Sequence, residues 1–423
     1  MNLMGKHVTV AVVGAGMAGQ AHAFGYRNAT MHPDLAGVDV HLSAIVDVNL
    51  ELARSAADRY GFATATTDLQ AVLGDDAIDG VSLALPNFAY AQVIPALIAA
   101  GKHVLAEKPL GRSAAEAHRF ATAADAAGRV HGVGFSWRRL AAVEAIAQIV
   151  GSGGIGDLWH ASAWYLTDYA STPATPLSWR YHREQAGGGA IVDVGAHVLA
   201  VLEHVTGPVR RVLAADARIL IPERPVPSGP VVGHGAAAAT GELGPVTTDD
   251  VTTTIVELAG GGCAQITVSR IATGVPNSLG FQIIGSAGSV WFDSARPDEF
   301  LLYQRSVAAP QSNGPRLVTV GPEQPSFAYT IPMPARGVGS GYGAAFVAQA
   351  QDFLRAILGR GEVGNDFWTG YQTMLVCDAV QQAAMEGRSV DIAALDARYR
   401  GAPGRARRDH IVASGQNGRP ADL

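Results

Sequence analysis

The feature that most constrains this chain is a strand followed at once by three spaced glycines and a helical pattern. Val8–Val13 reads as a buried strand, Gly14, Gly16 and Gly19 follow as G-x-G-x-x-G, and Ala18–Asn28 carries helical periodicity. Gly14 permits a tight turn, Gly16 lets the backbone approach a pyrophosphate, and Gly19 allows close helix–strand packing. Met17 and Ala18 lie inside the turn, where the free N–H groups of a helix N-terminus face bound phosphates. The alternative is an ordinary glycine turn, since glycine is common here, with 50 in 423 residues.

The pattern repeats. Strands at His41–Val46, Asp79–Leu85, His103–Ala106 and Val130–Phe135 alternate with helices at Leu50–Tyr60, Ala89–Ala100 and Ser113–Ala127. Ser113 with Glu116 reads as a capping box, and Gly61, Gly101 and Gly128 stand where helices end. This alternation predicts an α/β unit, a Rossmann-type doubly wound parallel sheet, over 1–137. Asp47 ends the second strand, where a carboxylate accepts hydrogen bonds from adenosine ribose hydroxyls. It comes later than the usual ~20 residues, and Thr30–Asp39 reads as the insertion that delays it. Val48 and Asn49 offer no cation for a 2′-phosphate, so the expected cofactor is NAD rather than NADP.

Beyond Trp137 the rhythm changes to a helix at Ala141–Val150 and then mostly strands: Leu158–Leu166, Val209–Leu220, Thr252–Leu258, Ala264–Ile271, Phe281–Ile284, Val290–Asp293 and Glu299–Tyr303. These predict an α+β domain over 138–398 with a large open, mostly antiparallel sheet. Residues 187–206 read as one helix opening on three glycines. Pro222–Pro245 reads as an excursion from the sheet, a loop, lid or oligomer contact. Helices at Tyr342–Leu358 and Tyr371–Glu386 close the fold and are placed to pack back on the first domain, and 399–423 reads as a flexible tail.

Composition narrows the function. A formal charge of -6 lacks the basic footprint of a nucleic-acid binder. The two cysteines, Cys263 and Cys377, make no disulfide framework, and no Cys/His spacing suggests a metal site. No apolar stretch reaches ~18 residues and no leader precedes the first strand, so a cytoplasmic location and no membrane association are expected. The only lysines are Lys6, Lys102 and Lys108. In a chain that otherwise uses arginine, a surviving lysine marks a place where a planar guanidinium does not serve.

Asp193 and His197 stand four apart, which on one helix puts both on one face. A histidine can take the proton of a secondary alcohol as hydride leaves its carbon, with a carboxylate orienting the ring. Lys108, at the carboxyl end of a strand, is placed to stabilise an alkoxide. Taken singly, the pair reads equally as a satisfied buried couple and the lysine as a surface residue.

Three ordered motifs resemble the Gfo/Idh/MocA oxidoreductases: the glycine motif, Glu107-Lys108-Pro109, and Gly187-Gly188-Gly189 running on to Asp193 and His197. Leu177-Ser178-Trp179-Arg180 resembles the branch acting on cyclic polyols and pyranoses, the inositol and levoglucosan dehydrogenases. The resemblance covers the chain to about residue 395. It implies an NAD-dependent oxidation of a secondary alcohol on a sugar or cyclic polyol, with Lys108, Asp193 and His197 catalytic. It also implies a homodimer or homotetramer.

Pro86, Asn87, Glu107, Trp179 and Arg180 join the expected cofactor site. Arg138, Tyr165 and Asp168 join the expected substrate site, although Trp137, Arg138, Trp179 and Arg180 read equally as core aromatics with stacked arginines. Tyr90 replaces the histidine of the family's Pro-Asn-x-x-His, and Ser136 stands where asparagine is frequent. Two other readings stay open: glycoside cleavage through transient oxidation and elimination, and a sugar-sensing regulator on the same fold.

Overall fold

The computed structural model describes residues 6–229, 231, 233, 239–305 and 313–400. The glycine motif opens a six-stranded sheet: β1 His7–Val13, β2 Asp39–Val46, β3 Thr64–Thr66, β4 Gly80–Leu83, β5 His103–Ala106 and β6 His131–Val133. Their order is β3-β2-β1-β4-β5-β6 and every pairing is parallel. The order reverses between β1 and β4, the crevice where open parallel sheets bind ligands. Central strands are buried on both faces, and so β1 is buried continuously from Val8 to Val13, with Thr9 its one polar residue there, rather than in alternation.

Helices cover this sheet for local reasons. The helix Leu50–Tyr60 starts where the Asn49 side chain accepts the N–H groups of Glu51 and Leu52, and it ends at Gly61 with a left-handed φ of 71°. Ser113 caps Ala114–Ala126 by accepting from Glu116 N. The reciprocal half of the expected capping box is missing. The Glu116 carboxylate turns instead to the backbone N–H and guanidinium of Arg112.

A nine-stranded mixed sheet forms the second layer. Its order is Arg316–Thr319, Glu299–Gln304, Gly288–Asp293, Asn277–Gly285, Leu158–Thr167, Cys263–Ser269, Val251–Leu258, Val209–Arg218 and Val390–Asp391. Only Leu158–Thr167 with Cys263–Ser269 is parallel. One face packs on Ala141–Gly151 and Gly195–Thr206, and the burial alternates accordingly along Val251–Leu258.

Residues 187–206 are not one helix. Gly187 ends a short helix at Arg183–Ala186, a turn follows at Ala190–Asp193, and Gly195–Thr206 starts anew at a bend of 47°. The cause lies far away in sequence. The Asp249 carboxylate accepts the N–H groups of Gly189 (2.8 Å) and Ile191 (3.0 Å), capping the turn from outside and setting its direction.

The excursion at 222–245 contains two antiparallel strands, Glu223–Pro227 and Ala239–Pro245. It is pinned by Arg224, which is fully buried, donates to the carbonyls of Thr172 and Ala170, and lies over the Tyr181 ring. Arg270 lies 4.5 Å from that ring centroid and bonds Asp250 at 2.9 Å. Asp250 also accepts from Leu220 N and Ile221 N, so this buried charge is fully bonded.

Helix Tyr342–Ile357 lies along Met17–Asn28, and Phe367–Glu386 lies on Ala114–Ala126. Of the expected tail, Tyr399 and Arg400 instead finish the helix Ile392–Arg400; 401–423 lie outside the described residues. Among the described residues no single helix is long and apolar enough to cross a membrane.

Candidate active site at the sheet edge

The glycine turn is built as a cradle. Gly14 has a φ of 102°, and a Cβ there would overlap the carbonyl of Ala84. A Cβ at Gly19 would overlap the carbonyl of Gly14. Gly16 is different: it is extended, with φ -68°, and no protein atom lies within 4 Å of where its Cβ would point. Glycine there keeps space open above the N-terminus of Met17–Asn28, which fits a pyrophosphate. Asp47 closes the adenosine side. Its two oxygens accept from Ala15 N (2.8 Å) and Asn49 N (2.9 Å), which aims the carboxylate across the turn and leaves lone pairs for ribose hydroxyls. Met17 and Val48, next in the chain after Gly16 and Asp47, are apolar side chains 85% and 96% exposed, and Met17 and Ala18 open the helix.

The candidate proton-handling groups come from three separate segments. Lys108 follows β5, and its ammonium donates to the Asp193 backbone carbonyl (3.0 Å) and to Asp193 Oδ1 (3.1 Å). Tyr169, beyond the strand Leu158–Thr167, donates its hydroxyl to Asp193 Oδ2 at 2.7 Å. Both carboxylate oxygens therefore have donors other than the histidine. Asp193 and His197 do not share a helix face, because the chain bends between them, and Asp193 acts on His197 as a nearby charge. That corrects the expected shared helix face.

His197 is buried, 7% exposed, with its ring 5.8 Å from Tyr165 and 6.4 Å from Phe135 between centroids. Its Nδ1 is buried and has no hydrogen-bond partner. Burial, and behind it the Lys108 ammonium, push its pKa well below the usual imidazole range against the opposing charge of Asp193. The imidazole is neutral at pH 7, the form that accepts a proton. Tyr165 also meets Trp137, which stacks on Tyr342 at 4.2 Å, so one aromatic wall leads away from His197.

Other expected site residues fall elsewhere. The Arg138 guanidinium is buried against the far end of Gly195–Thr206, bonding His204 Nδ1 at 3.1 Å, and burial lowers it to about 10. That bond favours the core reading of Arg138 over the crevice one. Asn87 is buried and spends its amide on the Ala186 carbonyl at 2.8 Å, which ties the turn after β4 and Pro86 to the glycine-rich segment. Trp179 meets Phe88 edge-on, and Arg180 stacks over it at 4.4 Å. Asp168 is half-buried at the strand end; its backbone carbonyl accepts from Ser171 N.

Sequence reasoning missed His22, Ser82, Asp249 and Tyr342. His22 carried a signal, three residues after Gly19 on the same helix. Tyr342 and Asp249 carried none, because they reach the site only through tertiary packing.

Comparison with known proteins agrees with this fold. Residues 8–135 match the oxidoreductase family with an NAD-binding Rossmann fold, and residues 143–291 match the GFO/IDH/MocA C-terminal domain. Levoglucosan dehydrogenase of Pseudarthrobacter phenanthrenivorans is 34% identical over 395 residues, covering 93% of this chain and 100% of that protein. Inositol 2-dehydrogenase 1 of Paenarthrobacter aurescens is 24% identical across 92% of this chain and 97% of its own. A solved levoglucosan dehydrogenase in complex with NADH and levoglucosan superposes with a TM-score of 0.83 at 32% identity, covering 92% of this chain and 100% of that one. With its parallel NAD-binding sheet, its large mixed second sheet and this similarity end to end, the chain belongs to the Gfo/Idh/MocA oxidoreductases.

Proposed function

We propose that this enzyme oxidises a secondary alcohol on a pyranose or cyclic polyol to the ketone, with NAD as hydride acceptor. One observation carries the reading: a neutral, buried His197 with an unbonded ring nitrogen lies in the field of an ammonium held at the end of β5. The bound nicotinamide supplies the redox chemistry, and the residues of the chain handle the proton and the orientation. Lys108 stabilises negative charge on the carbinol oxygen. His197 takes the hydroxyl proton. Asp193, held by Tyr169, fixes the ammonium and favours the imidazolium that forms. Asp47, Gly14, Gly16 and Gly19 hold the dinucleotide, and the backbone at Pro86 and Glu107 flanks its other half.

Likeness to a levoglucosan and an inositol dehydrogenase supports the substrate class. A screen of anhydrosugars, pyranoses and inositols for NADH formation tests it. Steady NADH accumulation is the expected result; product without NADH accumulation points to the glycoside-cleaving cycle, and ligand binding without turnover to a sensor. NAD is expected over NADP by kcat/KM.

The first domain is read as 1–137 and the second as 138–398. Self-association is read from the outer face of the large sheet, where Ile255, Leu301 and Leu317 lie exposed in one row of paired positions. Light scattering on the purified protein decides between monomer, dimer and tetramer. A cytoplasmic site of action fits the same reading, and fractionation tests it.

A further inference from the structure

The buried face of the glycine helix holds a chain of polar groups that the proposed mechanism does not use. Tyr26 OH meets Ser82 Oγ at 2.6 Å, Ser82 Oγ meets His22 Nδ1 at 3.1 Å, and His22 Nε2 meets Glu107 Oε1 at 2.9 Å. All four residues are buried, at most 8% exposed. Lys108 N–H points at Glu107 Oε2 from 3.3 Å. Gly134 makes room for the carboxylate, since a Cβ there would overlap Glu107 Oε1.

Proton counting fixes the direction of this chain. Tyr26 has Ser82 as its hydrogen-bond partner, so its buried hydroxyl must donate there or go unsatisfied. Ser82 then donates its hydroxyl hydrogen bond to His22 Nδ1, and His22, with its hydrogen on Nε2, donates a hydrogen bond to Glu107. Glu107 is left receiving N–H groups on both oxygens, the arrangement of an ionised carboxylate. Beside it Lys108 and Asp193 neutralise one another as an ion pair, and His197 is neutral. The edge formed by these four residues therefore carries one unbalanced negative charge, on Glu107.

The topology sets what faces that charge. Asp47 places the adenosine half over β2, and the cradle at β1 holds the pyrophosphate, so the other half extends toward β4 and β5, where Glu107 follows β5. We infer that His22 holds Glu107 as a fixed negative charge beside the nicotinamide half-site, so that the enzyme favours the cationic, oxidised cofactor over the neutral, reduced one. The inference rests on NAD being the cofactor and not on the identity of the sugar. It assigns the glycine helix a second task, positioning a charge at the reacting end while cradling phosphates at the other.

The test needs no substrate and no turnover. Dissociation constants for NAD⁺ and NADH are measured by calorimetric titration of the apo enzyme, native and variant. Glu107→Gln keeps the shape and an acceptor for His22 but removes the charge. It is expected to shift the ratio of the two constants toward NADH by on the order of tenfold, the size of one charge acting across roughly 10 Å of protein interior. His22→Gln, which retains a donor, is expected to stay near the native ratio, and His22→Leu to shift it as Glu107→Gln does. A Glu107→Gln ratio within about twofold of native, in protein that still binds NADH, overturns the proposal. Should Glu107→Gln lose both cofactors, an unchanged ratio in His22→Leu overturns it instead. Failure of every sugar in the substrate screen leaves these ratios untouched, so the two readings fail separately.

Discussion

The cofactor cradle and the proton-handling cluster are built in opposite ways. The cradle is one continuous strand–turn–helix, and its contacts are backbone groups that any correctly folded turn presents. The cluster gathers Lys108, Tyr169, Asp193 and His197 from segments as much as 89 residues apart in the chain, and its contacts are side-chain bonds made across the two sheets. The first is set by local conformation and the second by tertiary packing. A local motif can be damaged only by changing its own backbone or the space it encloses. A packed cluster can lose its chemistry while the fold and the cradle stay intact.

Breaking the cluster alone gives the largest expected effect. His197→Ala should lower kcat by roughly 10²–10⁴ while the dissociation constant for NADH, read by fluorescence titration, stays within about twofold. Near-native turnover would mean that His197 is only a core histidine. Lys108→Arg should cost about 10² in kcat although charge is retained, because a guanidinium cannot reproduce an ammonium that bonds the carbonyl and carboxylate of one residue. Retained kcat in this variant would reduce Lys108 to a structural cation. The cradle is probed in the reverse sense by Gly16→Val. Its backbone is extended and its surroundings are open, so the melting temperature should hold while NADH affinity falls at least about tenfold. Gly14→Ala is the control, since its φ of 102° and the Ala84 carbonyl make that change one of folding.

This contrast also explains what was legible in the amino-acid pattern. The parallel sheet, the glycine turn and Asp47 were readable because period, turn chemistry and spacing are local. The large mixed sheet was readable as strands, although the parallel pairing of Leu158–Thr167 with Cys263–Ser269 was not. At the site, the identities of Lys108, Asp193 and His197 came from motif order and a lone lysine, but their geometry did not. Four-residue spacing implied one helix face; Asp249, contributed from the loop before the strand Val251–Leu258, caps the turn and redirects the chain. Arg138 read equally as crevice or core residue, because its bond to His204 Nδ1 is a tertiary contact that no local pattern shows.

The smallest expected effect is also the one that separates a charge from a contact. If Asp193 acts on His197 through space, Asp193→Asn removes the charge that raises the imidazole and leaves burial and Lys108 to lower it further. It also takes away half of the ion pair that tempers the ammonium. Both changes push the same way. A base must be neutral to work, so activity is lost as pH falls through its pKa, and a lower pKa moves that loss to more acidic pH. The acid limb of kcat/KM against pH should therefore shift downward in Asp193→Asn. At pH 7, where His197 is already neutral, kcat should fall by less than about tenfold, well short of His197→Ala, because the amide still accepts from Tyr169 or Lys108. A loss as large as that of His197→Ala, with the acid limb unmoved, would show instead that the carboxylate is needed to orient the ring directly, as the four-residue spacing first suggested.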